Sequence, residues 1–173
     1  MLAALHRHHP DIALSAWPAK HDELDRWLTT GLIDAALTYN PIMRDQLSNR
    51  ELRSEQLLLV STRPDSPSRF DPGYVYVDAG ADFGRRHAAA YADAGIARVS
   101  FGCSVWALDF LLQRGGSAYL PEHIAAPGLA AGELYRIADA PVFTRQIYLI
   151  SNDRVAEGWP WFAELEQWLA DAS

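Results

Sequence analysis

The chain carries one cysteine, Cys103, so no internal disulfide can form and the fold must rest on its own core. Long apolar runs are missing: nothing approaches about 18 residues without a charge, which excludes a membrane span and a membrane partner. Positive charge is in deficit, with 15 Lys and Arg against 22 Asp and Glu and a net charge of −7. That sign is wrong for a surface that must neutralise phosphates, so this chain by itself is not expected to grip nucleic acid. Residues 1–9 lack the basic-then-apolar order of a secretory signal, and the expected compartment is the cytoplasm. Six histidines are present, but His8 and His9 are neighbours that point apart, and His6 and His9 are only three apart. No metal and no cofactor are expected from them.

What is present is core material: 49% of the 173 residues are apolar and 21% charged, enough for one ordinary domain or two small lobes. Leu2 and Leu5 read as the end of a helix, and Ile12, Leu14 and Ala16 alternate as a short strand after Pro10. Asp22 is placed to cap a helix through Leu24, Trp27 and Leu28 that Gly31 closes, and residues 32–39 run almost continuously apolar, as covered strands do. Residues 57–61 form another strand, and Arg63-Pro64-Asp65-Ser66-Pro67-Ser68 is the most linker-like stretch. Beyond it the pattern restarts: strand 74–77, helix from Asp82 to Ala94, strand 98–101, a helix capped by Ser104 that runs to Arg114 and is ended by Gly115-Gly116, and strand 117–120 before Pro121. A strand over 146–150 and a helix opened by Pro160, with Phe162, Leu165, Trp168 and Leu169 on one stripe, complete the chain. Trp161 and Trp168 are expected to pack that helix on the first lobe rather than to form a stacking platform.

Alternating strands and short helices predict an α/β fold with mainly parallel sheets. The expected division is a first lobe of residues 1–64 and 147–173 and a second lobe of residues 65–146. Two such lobes joined by crossing strands would present helix N-termini to a shared cleft, and that geometry binds small anions.

Several stretches together resemble a known family. His8-His9-Pro10-Asp11-Ile12, Asp22-Glu23-Leu24 and Gly31-Leu32-Ile33-Asp34-Ala35-Ala36-Leu37 resemble the opening of the effector-binding domain of LysR-type transcriptional regulators. The run from Leu111 to Pro121 resembles that domain's glycine-centred helix-to-strand turn, and Leu129-Ala130-Ala131-Gly132-Glu133-Leu134 its following segment. The resemblance implies the type 2 periplasmic-binding-protein fold, two Rossmann-like lobes joined by crossing strands. It also implies that the chain starts inside the domain's first helix, so that DNA is a partner only of a longer parent carrying a winged helix-turn-helix. A homodimer through residues 2–16 and 83–101 is implied as well.

Carried over residue by residue, the family's effector site falls on four places. These are Lys20, the only lysine; Thr38 and Tyr39; Ala81, Asp82 and Phe83; and Gly102, Cys103 and Ser104. Tyr119 is a further aromatic at a strand end; for it, Tyr39 and Phe83, ligand contact and core packing compete. Cys103 reads either as a reactive thiolate at a helix start or as a small packing residue, and no nucleophile signature surrounds it. Arg85 and Arg86 read as a solvated face. The expected function is ligand sensing by a regulator, with a small carboxylate-bearing effector and no catalysis. A transport-type solute-binding protein and an enzyme using Cys103 or Asp82 are the alternatives.

Overall fold

In the computed structural model, which describes residues 2–69, 71–93, 95–156, 158–159 and 162–171, the alternation of side chains along each strand decides which core it feeds. The chain divides into two compact units, residues 1–53 with 146–173 and residues 54–145.

The first unit contains α1 (Leu2–His8), α2 (His21–Thr30), β1 (Ala35–Thr38), the start of β2 (Leu47–Ser61), most of β7 (Phe143–Asn152), α6 (Asp153–Ala156) and α7 (Phe162–Asp171). β1 pairs antiparallel with β7, Ala35 opposite Ser151 and Thr38 opposite Tyr148. Ala36 and Ile150 pack with Leu28 of α2, while Leu149 packs with Leu5 of α1 and with Phe162 and Leu165 of α7. Period-2 alternation thus gives the pair one core on each face. α2 ends as its sequence demands, with Gly31 at φ 71° and the N–H of Leu32 bonded to the carbonyl of Trp27 at 2.8 Å.

The second unit holds the rest of β2, β3 (Tyr74–Val77), α3 (Ala81–Ala90), β4 (Val99–Phe101), α4 (Ser104–Arg114), β5 (Ser117–Pro121), α5 (Glu122–Ala131), β6 (Tyr135–Arg136) and the start of β7. β3 lies between β4 and β5 and is parallel to both, whereas β2 is antiparallel to β5 and to β6. Leu58, Val60, Val75, Val77 and Leu120 face α4 and α5, meeting Ala107, Leu111 and Ala125. Leu57, Leu59 and Tyr119 face the other way, onto Phe83 and Tyr91. At the start of β5, Gly116 has φ 122° and a Cβ there would lie 2.3 Å from the Gly73 carbonyl oxygen, so only glycine fits.

Several expectations are corrected. The sheet is mixed rather than mainly parallel; Leu57–Val60 is continuously apolar because both its faces are covered, and an antiparallel central strand meets that condition equally. No strand forms over 12–16, where Leu14 and Trp17 are exposed and the backbone is irregular up to α2. The strand expected over 32–39 covers only 35–38, because Leu32 still belongs to the turn that closes α2. Asp22 does not cap α2; Lys20 is the N-cap residue, and its N–H donates to Glu23 Oε2 at 3.0 Å. α3 ends at Ala90 with Tyr91 as its cap. The linker-like segment 63–68 is a surface turn within the second unit, and the chain passes between units inside β2, at 53–54 rather than 64–65. The polar run from Ser48 to Arg53 hides that strand from a hydrophobicity reading. Ala94, Pro160 and Trp161, and the side chain of Leu2, lie outside the described residues.

Candidate functional site

β3 and β4, being parallel, deliver their C-terminal ends to one edge of the second unit, and the N–H of Asp78 donates to the Phe101 carbonyl at 2.9 Å to tie those ends together. From that edge α3 and α4 start. Asp78 Oδ1 accepts the Gly80 N–H at 3.0 Å, and Gly80, at φ 98°, turns the chain into α3. Gly102 and Cys103 do the same for α4, with Cys103 in extended geometry at the N-cap. No side chain caps either helix, so the first-turn N–H groups of Ala81, Asp82 and Phe83 and of Ser104 onward are left without intrahelical partners. Two uncapped helix starts beside each other carry positive partial charge, the arrangement that holds a small anion.

Ala81 and Gly102 are exposed and Ser104 half-buried at this edge, and Cys103 is a half-buried free thiol. The Asp82 carboxylate is engaged along its own helix by Arg85 at 2.8 Å and Arg86 at 3.5 Å, which pulls its charge away from the helix start. Phe83 contributes a backbone N–H only, because its ring is buried against Tyr119 and Phe143 at centroid distances of 5.7 and 5.2 Å. Tyr119 is likewise buried, its hydroxyl bonded to Tyr91 at 2.6 Å and to the Pro141 carbonyl at 2.9 Å. Burial and the Tyr91 hydroxyl push the Tyr119 phenol far above its ordinary pKa, so it is a structural donor. In the first unit, Thr38 is buried at the end of β1 with its hydroxyl on the Asn40 carbonyl at 2.6 Å, while Tyr39 and Lys20 are exposed.

Sequence reading passed over His87, which stacks on Tyr74 and touches Phe83 and Tyr91. The signal was available: residues 83, 87 and 91 follow one another at i, i+4 on one face of α3. It also passed over Glu55 and Arg145, a buried ion pair on two different strands, which no local pattern reveals. Among the described residues no group of three or more His, Cys, Asp or Glu is placed to hold a metal ion, and no helix is long and apolar enough to cross a membrane.

No curated protein sequence matches the chain. Solved structures do: the bromide-bound regulatory domain of HypT from Salmonella typhimurium superimposes with a TM-score of 0.80 at 17% identity, covering 100% of this chain and 90% of that one. The regulatory domain of CrgA from Neisseria meningitidis gives 0.74 at 14%, covering 98% and 88%. Full-length LysG from Corynebacterium glutamicum gives 0.68 at 22%, covering 92% of this chain and 57% of that one. These likenesses establish the two-lobe periplasmic-binding-protein-like fold. Residues 1–157 match the LysR substrate binding domain as a family. With a sequence match over most of its length and the fold beneath it, the chain belongs to the LysR substrate-binding domain family, the regulatory, effector-binding part of LysR-type transcriptional regulators.

Proposed function

We propose that this domain senses a small anionic effector, most simply a carboxylate, that docks on the uncapped starts of α3 and α4. The observation that carries the reading is the pair of helix N-termini set side by side by parallel strands β3 and β4, with the Asp82 carboxylate drawn off by Arg85 and Arg86. In a chain of net charge −7, such a place is where an anion finds positive potential. The regulatory domain of HypT binds bromide, which is consistent with an anion being received on this fold. Binding that differs between two conformations of the parent would shift its subunit arrangement, and no catalytic step is required. DNA contact is assigned to another domain of the parent regulator, in the cytoplasm, and pairing of two copies to residues 2–16 and 83–101. Family membership favours this over the transport and enzymatic alternatives.

Small carboxylic acids and their neutral amides, screened by thermal shift and by amide NMR, test the reading. A carboxylate at 100 times its Kd is expected to add about 2.7 kcal/mol of stability and to move the amide signals of residues 81–83 and 104–106. The contacts expected from Lys20, Thr38 and Tyr39 are checked in the same spectra. Stabilisation by neutral or cationic compounds alone, with no response to any acid, overturns the anion assignment.

A further inference from the structure

Three helices, not two, start from the edge that carries the candidate site. β5 is parallel to β3, and α5 begins at Glu122 directly after Pro121, the last residue of β5. No side chain caps α5 either. Beside its first turn runs β2: Leu57 is paired with Pro121, so Glu55 lies two residues past the end of β5, where it meets His123. Leu57 packs toward Phe83 of α3, and alternation puts Glu55 on that same face of the sheet. Glu55, His123 and Arg145 all belong to the second unit and lie outside the segments assigned to pairing of two copies.

Only half of the Glu55 carboxylate is used. Its side chain is 8% exposed, and Oε1 is held by the equally buried Arg145. Oε2 is buried and accepts no hydrogen bond among the described residues. His123 Nδ1 lies 3.3 Å from it without forming one, and the His123 side chain is 42% exposed. The open acceptor is therefore one exposed side chain below the surface, at an uncapped helix start. A charged oxygen kept from water without a donor is costly, so a donor brought by a ligand gains more here than at the surface. Because Arg145 already balances the charge of Glu55, a neutral donor suits the place and a second buried cation does not.

We propose that Glu55 is a specificity residue of the effector site: the effector is a hydroxy acid whose carboxylate docks at the starts of α3 and α4 and whose hydroxyl donates to Glu55 Oε2. This rests on the anion reading of that edge and adds what the far end of the effector must carry. Strand order supplies the span. β2, β5, β3 and β4 are successive neighbours, so Glu55 stands two to three strand spacings, about 10–14 Å, from the strands that lead into α3 and α4. A hydrogen bond of about 3 Å at each end leaves about 4–8 Å between carboxylate and hydroxyl. An acid without the hydroxyl leaves the buried oxygen as it was, and specificity against it follows.

The probes are 5-hydroxypentanoate, whose two ends match that span, pentanoate, which lacks the donor, and 5-aminopentanoate, which replaces it by a cation. Titrations are followed by amide NMR and by the carboxyl carbon signal of Glu55 in glutamate-labelled protein. The hydroxy acid is expected to bind about tenfold more tightly than pentanoate, the worth of one hydrogen bond to a charged acceptor, and alone to move the Glu55 signal. Both are expected to move the amides of 81–83 and 104–106, and 5-aminopentanoate to bind no better than pentanoate. The double change Glu55→Leu with Arg145→Leu removes the acceptor without stranding a charge and should erase the preference for the hydroxyl. The Glu55 signal of the unaltered protein decides the matter if that variant does not fold. The proposal is overturned if the two acids bind equally, if the Glu55 signal stays still at saturation, if the amine binds most tightly, or if the folded double variant keeps the preference. In each of those cases a response of 81–83 and 104–106 leaves the anion reading standing. Silence of those amides toward all three acids overturns both.

Discussion

Arg145 donates its Nε–H to Glu55 Oε1 where β7 and β2 pass the division between the two units, and the two residues are only 8% and 9% exposed. The second carboxylate oxygen of Glu55 lies 3.3 Å from His123 Nδ1. Removing one member of such a pair strands a buried charge, which costs more than removing both. Glu55→Gln is expected to lose about 3–5 kcal/mol in urea unfolding, and the double change Glu55→Leu with Arg145→Leu clearly less. If the single change costs under about 1 kcal/mol, the pair is not held out of water.

Gly116 offers a second test. With its φ at 122° and the Gly73 carbonyl oxygen 2.3 Å from the position of a Cβ, Gly116→Ala must push apart the starts of β3 and β5. A loss above about 2 kcal/mol, or failure to fold, is expected. Gly102→Ala, at a site where a Cβ meets nothing within 4 Å, serves as the control and is expected to leave the urea midpoint within error. Equal losses for the two variants contradict the close approach at Gly116.

His87 sets a pH dependence. Burial lowers its pKa from 6.5, so below that value the unfolded chain takes up a proton that the folded one refuses. The unfolded state then binds more protons, and stability rises with pH through the window below 6.5 and is complete above it. Urea midpoints measured from acid to neutral pH should show this limb, and His87→Gln should flatten it. An unchanged limb in the variant assigns the slope to other groups.

The proposed pairing of two copies through residues 2–16 and 83–101 gives a hydrodynamic prediction. Light scattering at micromolar concentration should report a mass near twice the 19.2 kDa of the chain. A mass that stays at one chain on concentrating counts against pairing by these segments.

Much of the second unit is legible in the sequence because local rules agree there. The apolar face through Leu111 and the Gly115-Gly116 stop define α4, although Ser104, expected as its cap, is its first helical residue and Cys103 stands at the N-cap; Tyr74–Val77 alternates as a strand should. Legibility fails where long-range partners decide. Ile12, Leu14 and Ala16 alternate, yet no strand is there to receive them; Ser48 to Arg53 hardly alternate, yet they continue β2. At the candidate site the glycine turns and helix starts are readable, since φ and capping are local. The fate of Phe83 and Tyr119 is not, because whether an aromatic at a helix start or within a strand turns inward depends on partners such as Tyr91 and Phe143, distant in sequence.

The division of the chain also orders the birth of the fold. Residues 54–145 are contiguous and hold the partners of β3, β4 and β5 among themselves, so this unit can condense as soon as it has been synthesised. β1 must wait: Ala35 finds its neighbour Ser151 only after the whole intervening stretch has been made. Until then α2 and β1 lack the β7 side of their core, and Leu28 and Ala36, later sealed by Ile150, are open to water. Until β7 is made, the apolar face of α2 and β1 is therefore an aggregation hazard, and closing that long loop is a slow step in the maturation of the first unit.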